Sequence, residues 1–127
     1  MREIKFRGRC VYTNEWFYGD LIQDKYTCSI GRMIDAEIYS QSTVYKETVS
    51  QYTGLKDKNG REIYEGDVVR YADGTGWISY QNEIATFQVE TLHWCITIPH
   101  LFAEIDDQWL EIIGNIYENP ELLEESE

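Results

Sequence analysis

Four acidic side chains fall within eleven positions of this sequence: Asp57, Glu62, Glu65 and Asp67. Carboxylates crowded in this way could run general acid–base chemistry, one holding a proton while another stays charged, or could bind a hard cation. The plainer reading is structural. Asp57 belongs to the turn-forming run Gly54-Leu55-Lys56-Asp57-Lys58-Asn59-Gly60, Glu62 and Glu65 face water, and Asp67 caps the entry to a strand. The run imitates a calcium loop only briefly. With Asp57 first, Glu62 stands at the sixth position and Val68 at the twelfth, where glycine and glutamate are required. Phosphate-binding loops fail on spacing as well. Five residues separate Gly54 from Gly60 and Arg61-Glu62 follows, whereas a P-loop needs four and then a lysine. Gly74-Thr75-Gly76 lacks the third glycine of a dinucleotide fingerprint.

The remaining reactive residues are scattered. His93 and His100 do not have HExxH spacing, and nearby Cys95 does not complete a ligand set. A Ser or Cys nucleophile paired in space with one of these histidines has no local support. Cys10, Cys28 and Cys95 are odd in number and far apart, and are expected to be buried free thiols of a reducing compartment. Arg2, Lys5, Arg7 and Arg9 could touch phosphates. More simply, they form the wet face of a first strand and pair with acids from the C-terminal part. Nothing here assembles a catalytic, cofactor or metal site, and the chain reads as a non-enzyme.

The elements that carry these residues read as strands. Ile4 and Phe6 alternate with Glu3, Lys5 and Arg7, a period of two. Cys10–Thr13 and Trp16–Ile22 read as strands around a turn at Asn14-Glu15. Shorter β-type runs follow at Tyr26–Met33, Ile38-Tyr39 and Thr43–Tyr52. Asn59-Gly60 marks a tight turn, Arg61–Glu65 a single helical turn ended by Gly66, and Asp67–Tyr71 a new strand. Gly74-Thr75-Gly76 turns the chain into Trp77–Tyr80. Ile84–Thr91 and Leu92–Ile98 continue the sheet until Pro99 interrupts it. A closing strand within Asp106–Tyr117 kinks at Gly114, and Asn119-Pro120-Glu121 starts a short helix.

Composition agrees with a mostly-β domain. Four Trp, ten Tyr and four Phe favour strands, and 127 residues suffice for one core without disulfides or metal. No apolar run approaches a bilayer span and the N-terminus lacks a secretory stretch, so the chain reads as cytoplasmic, with no membrane partner. The net charge of -12 is segregated: no lysine or arginine follows Arg70, while 12 of the 23 acids do. Such a surface argues against nucleic acid as a partner and favours a basic partner or self-association through the neutral part.

The stretch Gln51-Tyr52-Thr53-Gly54-Leu55-Lys56-Asp57-Lys58-Asn59-Gly60-Arg61-Glu62-Ile63-Tyr64-Glu65-Gly66-Asp67 resembles the signature of the YopX family of phage and prophage proteins. Ile4-Lys5-Phe6-Arg7-Gly8 with Trp16-Phe17-Tyr18-Gly19-Asp20-Leu21 is similar to the family's opening. Ile112-Ile113-Gly114-Asn115-Ile116-Tyr117-Glu118-Asn119-Pro120-Glu121-Leu122 is similar to its closing segment. Residues 23–47 and 72–108 carry no matching pattern. The resemblance implies a bacterial host cell, a fold of coiled β-sheets including an SH3-like barrel, homo-oligomers, and neither enzyme activity nor cofactor. It makes residues 1–127 a single domain, with an N-terminal β part at 1–50, the signature crossing at 51–67, the barrel part at 67–118 and an acidic tail at 119–127.

The signature suits a tight crossing between two sheets. Alternatively, Tyr52, Leu55, Ile63 and Tyr64 form an exposed contact surface, since tyrosine joins a large apolar body to a polar tip. Four functions follow in order: an oligomeric or protein-binding β module contacting itself or a host or phage protein; an acidic nucleic-acid mimic blocking a host DNA-binding protein; a direct nucleic-acid binder through Arg2, Lys5, Arg7 and Arg9; and a hydrolase at the Asp57–Asp67 acids.

Overall fold

A computed structural model describes residues 3–71, 74–91, 95–97 and 110–124. The fold is mostly β, with antiparallel sheets and a short C-terminal helix. The chain forms two compact units, Met1–Tyr52 and Thr53–Glu127, and their boundary falls inside the signature stretch.

The first unit is an antiparallel sheet in the order β4-β3-β2-β1-β5. Its strands are β1 (Phe6–Arg9), β2 (Trp16–Gln23), β3 (Cys28–Ile34), β4 (Glu37–Thr43) and the start of β5 (Ser50–Lys56). Cys28, Ile30 and Val44 form its buried core, with Phe6, Phe17, Leu21 and Val49 packed against them. The expected strand at Cys10–Thr13 is a turn, closed by the Asn14 N–H on the Cys10 carbonyl, with only Cys10 bridging to Val44. The expected run Thr43–Tyr52 is broken by a 3-10 turn at Lys46–Thr48. Thr48 causes the break. Its hydroxyl donates to the Tyr45 carbonyl at 2.6 Å and accepts the Arg9 N–H at 3.0 Å, competing with a ladder.

The wet face expected of the first strand is also corrected. β1 lies between β2 and β5, and its residues are all buried or half-buried. Arg7 is buried, its guanidinium 4.7 Å from the centre of the Trp16 ring. A planar, weakly hydrated cation tolerates this position where an ammonium would resist it.

The second unit holds the rest of β5, then β6 (Glu62–Tyr64), β7 (Asp67–Tyr71), β8 (Gly74–Gln81), β9 (Thr86–Glu90), β10 (Cys95–Thr97), β11 (Leu110–Asn115) and helix α1 (Glu121–Glu124). β6 lies beside β5, and the other strands make an antiparallel sheet in the order β10-β9-β8-β7-β11. Its core is Ile63, Val69, Ile78, Phe87, Val89 and Leu110, with Leu55 and Ile112 against it. The implied SH3-like barrel is not shown: among the described residues the five-stranded sheet is open, with β10 and β11 as its edges.

Two expectations fail here for local reasons. Glu62–Tyr64 is a strand, not a helical turn, because Ile63 and Tyr64 are drawn into the interior. The Asp67 carboxylate then accepts the Tyr64 N–H at 2.7 Å across a tight turn. Gly74-Thr75-Gly76 lies within β8, paired to β7. A side chain at Gly76 would come within 2.6 Å of the Glu90 carbonyl oxygen, so close strand approach explains that glycine. The kink expected at Gly114 appears as a register shift between Ile112 and Gly114. Pro99 lies outside the described residues. Asn119 also departs from its expected role: its side-chain oxygen accepts the Asn115 N–H at 3.2 Å, behind the helix.

Gly66 sits between β6 and β7 at φ +88, with a would-be Cβ 2.8 Å from the Tyr117 ring. Gly66→Ala is expected to lower unfolding free energy by about 1–2 kcal/mol from the left-handed backbone alone. Urea titration of the variant beside the wild type measures it.

Candidate functional site

The signature turn is organised by one carboxylate. Asp57 Oδ1 accepts the N–H groups of Asn59 and Arg61, both at 2.9 Å, and Oδ2 accepts the Ile112 N–H at 3.0 Å. The Arg61 guanidinium lies 3.5 Å from Oδ2 and donates to the Ile112 carbonyl. Asn-Gly chemistry closes the turn, with Gly60 at φ +81 and its N–H on the Asp57 carbonyl. The Asp57 side chain is fully buried. Burial pushes its pKa up, but the N–H groups of Ile112, Arg61 and Asn59 and the Arg61 charge outweigh that and hold it below the usual value. The carboxylate thus pins β11 to the signature turn, and its lone pairs are committed there.

The other three acids do not converge on it. Asp67 is buried and bonded to Tyr64, Glu62 accepts the Tyr64 hydroxyl at 3.1 Å, and Glu65 is half-buried in the turn before β7. The expectation that Glu62 and Glu65 face water is corrected, since both are partly covered. Among the described residues no three His, Cys, Asp or Glu side chains gather as a metal site. His93 and His100 lie outside the described residues. Cys10 and Cys28 are buried, while Cys95 is exposed on β10, against the expectation of three buried thiols. The Thr13 hydroxyl, aided by the Tyr12 N–H, lowers the Cys10 thiol pKa.

The contact surface expected from Tyr52, Leu55, Ile63 and Tyr64 is corrected as well. Tyr52, Ile63 and Tyr64 are 5%, 0% and 2% exposed, and Leu55 is half-buried against the core. These residues pack the interior, and Thr53 ties β5 to β6 by donating its hydroxyl to the Ile63 carbonyl at 2.8 Å. The basic cluster is dispersed too. Arg7 is buried, Lys5 pairs with Glu3 at 3.4 Å, and Arg2 lies outside the described residues. Of the C-terminal acids, Glu111 is engaged by Lys58 and Arg70.

The surface that sequence reasoning missed is the β3–β4 hairpin. Asp35 and Ala36 both take positive φ, and Met33, Ile34, Ile38 and Tyr39 stand 39%, 39%, 49% and 63% exposed around them. The signal was present in the residues. Adjacent strand residues point to opposite faces. Two neighbouring apolar pairs, Met33-Ile34 and Ile38-Tyr39, therefore place apolar side chains on both faces, and one sheet core cannot cover both. β4 also ends its sheet. The Val44 N–H bonds to Cys28 of β3, while the Thr43 carbonyl turns outward to the Val11 N–H. By alternation Gln41 turns outward too, on a flank of residues 37–42 that no other strand pairs among the described residues.

A family model described as YopX protein matches residues 5–124. The crystal structure of protein EF1440 from Enterococcus faecalis is similar to this chain with a TM-score of 0.65 and 29% identity, over 97% of this chain and 99% of that one. No curated protein matches. No helix among the described residues is long and apolar enough to cross a membrane.

Proposed function

The chain belongs to the YopX family, and from that premise we propose that it is a non-enzymatic β module of a phage or prophage, acting in the cytoplasm of a bacterial host by self-association. The observation that carries the reading is the open flank of β4 with its exposed apolar side chains. An edge strand offers a row of unpaired N–H and C=O groups, and an apolar edge without lysine or proline invites another strand. β4 has neither lysine nor proline.

Charge favours a second copy as the occupant. Thr53–Glu127 holds four bases and sixteen acids, whereas Met1–Tyr52 holds seven of each. Pairing through β4 joins two first units, each with balanced charge. A host protein is the competing occupant and an outcome of the test. Light scattering of the wild type is expected to give a multiple of 15.0 kDa. Ile38→Lys with Gln41→Pro, which add a charge and remove an outward N–H without touching the β3 ladder, is expected to give the single-chain mass with unchanged circular dichroism. A monomeric wild type, or a variant of unchanged mass, sinks self-association through this edge.

A further inference from the structure

The first unit contains a cavity of about 300 Å³ that the self-association surface does not use. It lies between the β2–β3 turn, residues 24–27, and residues 43–47 at the end of β4. Its lining includes Val11 and the buried Cys28 and Val44. Its rim carries Lys25 and Tyr26 from one segment and Tyr45 and Lys46 from the other.

Both segments are fixed by hydrogen bonds. The Asp24 carboxylate accepts the N–H groups of Tyr26 and Thr27, both at 2.8 Å, and the Thr27 hydroxyl at 3.1 Å. Opposite, the Val44 N–H bonds to the Cys28 carbonyl at 3.0 Å and the Tyr45 N–H to the Arg9 carbonyl at 2.9 Å. These bonds set the backbone of both segments, which lowers the ordering cost of binding. Asp24 is occupied by its own turn. Lys25 stands 5.4 Å from the Tyr26 ring centre, and neither Lys25 nor Lys46 has an ion-pair partner among the described residues. Tyr26 is 84% exposed and Tyr45 40%. Glu47 is the one other acid on the lining.

We propose that this cavity binds a mononucleotide, its base against the tyrosine rings and its phosphate at the Lys25 and Lys46 ammonium groups. Each feature answers one part of such a ligand. Tyrosine faces stack on any planar base, and ammonium groups attract phosphate as point charges. The volume, at the small end of ligand pockets, suits one nucleotide. The acidic balance of the whole chain opposes a longer strand of nucleic acid.

The test titrates adenosine and guanosine monophosphate into the isotope-labelled full chain, followed by amide NMR, with adenosine and inorganic phosphate as controls. Saturable shifts at residues 24–27 and 43–47 are expected with a nucleotide, at a dissociation constant of about 1 mM or below. Phosphate alone and adenosine alone should bind more weakly. Lys25→Ala with Lys46→Ala should weaken binding about tenfold or more, the scale of losing charge-assisted contacts. Tyr26→Ala should weaken it several-fold, and Lys56→Ala, on β5, should leave it unchanged. Absence of saturable shifts overturns the proposal. So does phosphate binding as tightly as the nucleotide, or a Lys56 variant matching the Lys25/Lys46 variant. None of these outcomes bears on the β4 edge, because the solution mass tests that separately.

Discussion

Asp57→Ala is expected to destabilise the protein by about 3–5 kcal/mol, because each N–H group left without its acceptor costs about 1–3 kcal/mol. The substitution leaves the N–H groups of Asn59, Arg61 and Ile112 without their acceptor, while the half-exposed Arg61 guanidinium keeps its bond to the Ile112 carbonyl. Asp57→Asn should recover part of the loss, because an amide oxygen can accept at one side while its NH₂ faces donors at the other. Urea titration at neutral pH measures both. The pH dependence has a definite sign. The folded pKa lies below the ordinary aspartate value. The carboxylate's contribution is therefore complete above the unfolded pKa of about 3.9 and disappears as pH falls through the lower folded value. The gap between wild type and Asp57→Ala should narrow only in that acid range. A gap that stays constant down to the acid limit would show that Asp57 acts by packing instead.

Ile63→Ala should cost about 2–5 kcal/mol, the range for truncating a large buried aliphatic side chain. Ile63 is fully buried, with Val69, Ile78, Phe87, Val89 and Leu110 in its cluster. Removing its outer carbons leaves a void lined by β7, β8, β9 and β11. The measurement separates two roles for the signature stretch. A core residue lowers the denaturation midpoint at any protein concentration. A contact residue changes the association constant and makes the midpoint depend on concentration. A variant with wild-type stability but altered mass would falsify the core assignment.

Much of the scaffold was legible in the sequence because turn chemistry is local. Asp67–Tyr71 begins where Gly66 and Asp67 place it, Trp16–Gln23 follows the turn at Asn14, and the break at Gly114 is real. Asp57 reads as a turn residue, but its reach to Ile112 spans 55 positions, and no local pattern announces such a partner. Arg61–Glu65 reads as a helical turn because five residues ahead of Gly66 are too few to show a period. Its membership of a core decided it. Arg7 looked wet because alternation says which residues share a face, not whether a second layer covers that face. At Tyr52, Ile63 and Tyr64, composition suited an interface and an interior equally, and only burial separates them. At the β3–β4 hairpin the adjacent apolar pairs Met33-Ile34 and Ile38-Tyr39 break the period of two, so alternation marks the strands but not their exposed side chains.

The bond from Asp57 to Ile112 also sets an order of events. β7, β8 and β9 pair as successive neighbours and can close quickly, whereas β11 must return across a long stretch to lie beside β7. Long-range closure slows folding. A nascent chain that has not yet reached Leu110 therefore holds β7 with one flank open and Asp57 short of its last donor. During synthesis, the second unit's exposure to mispairing lasts until β11 emerges.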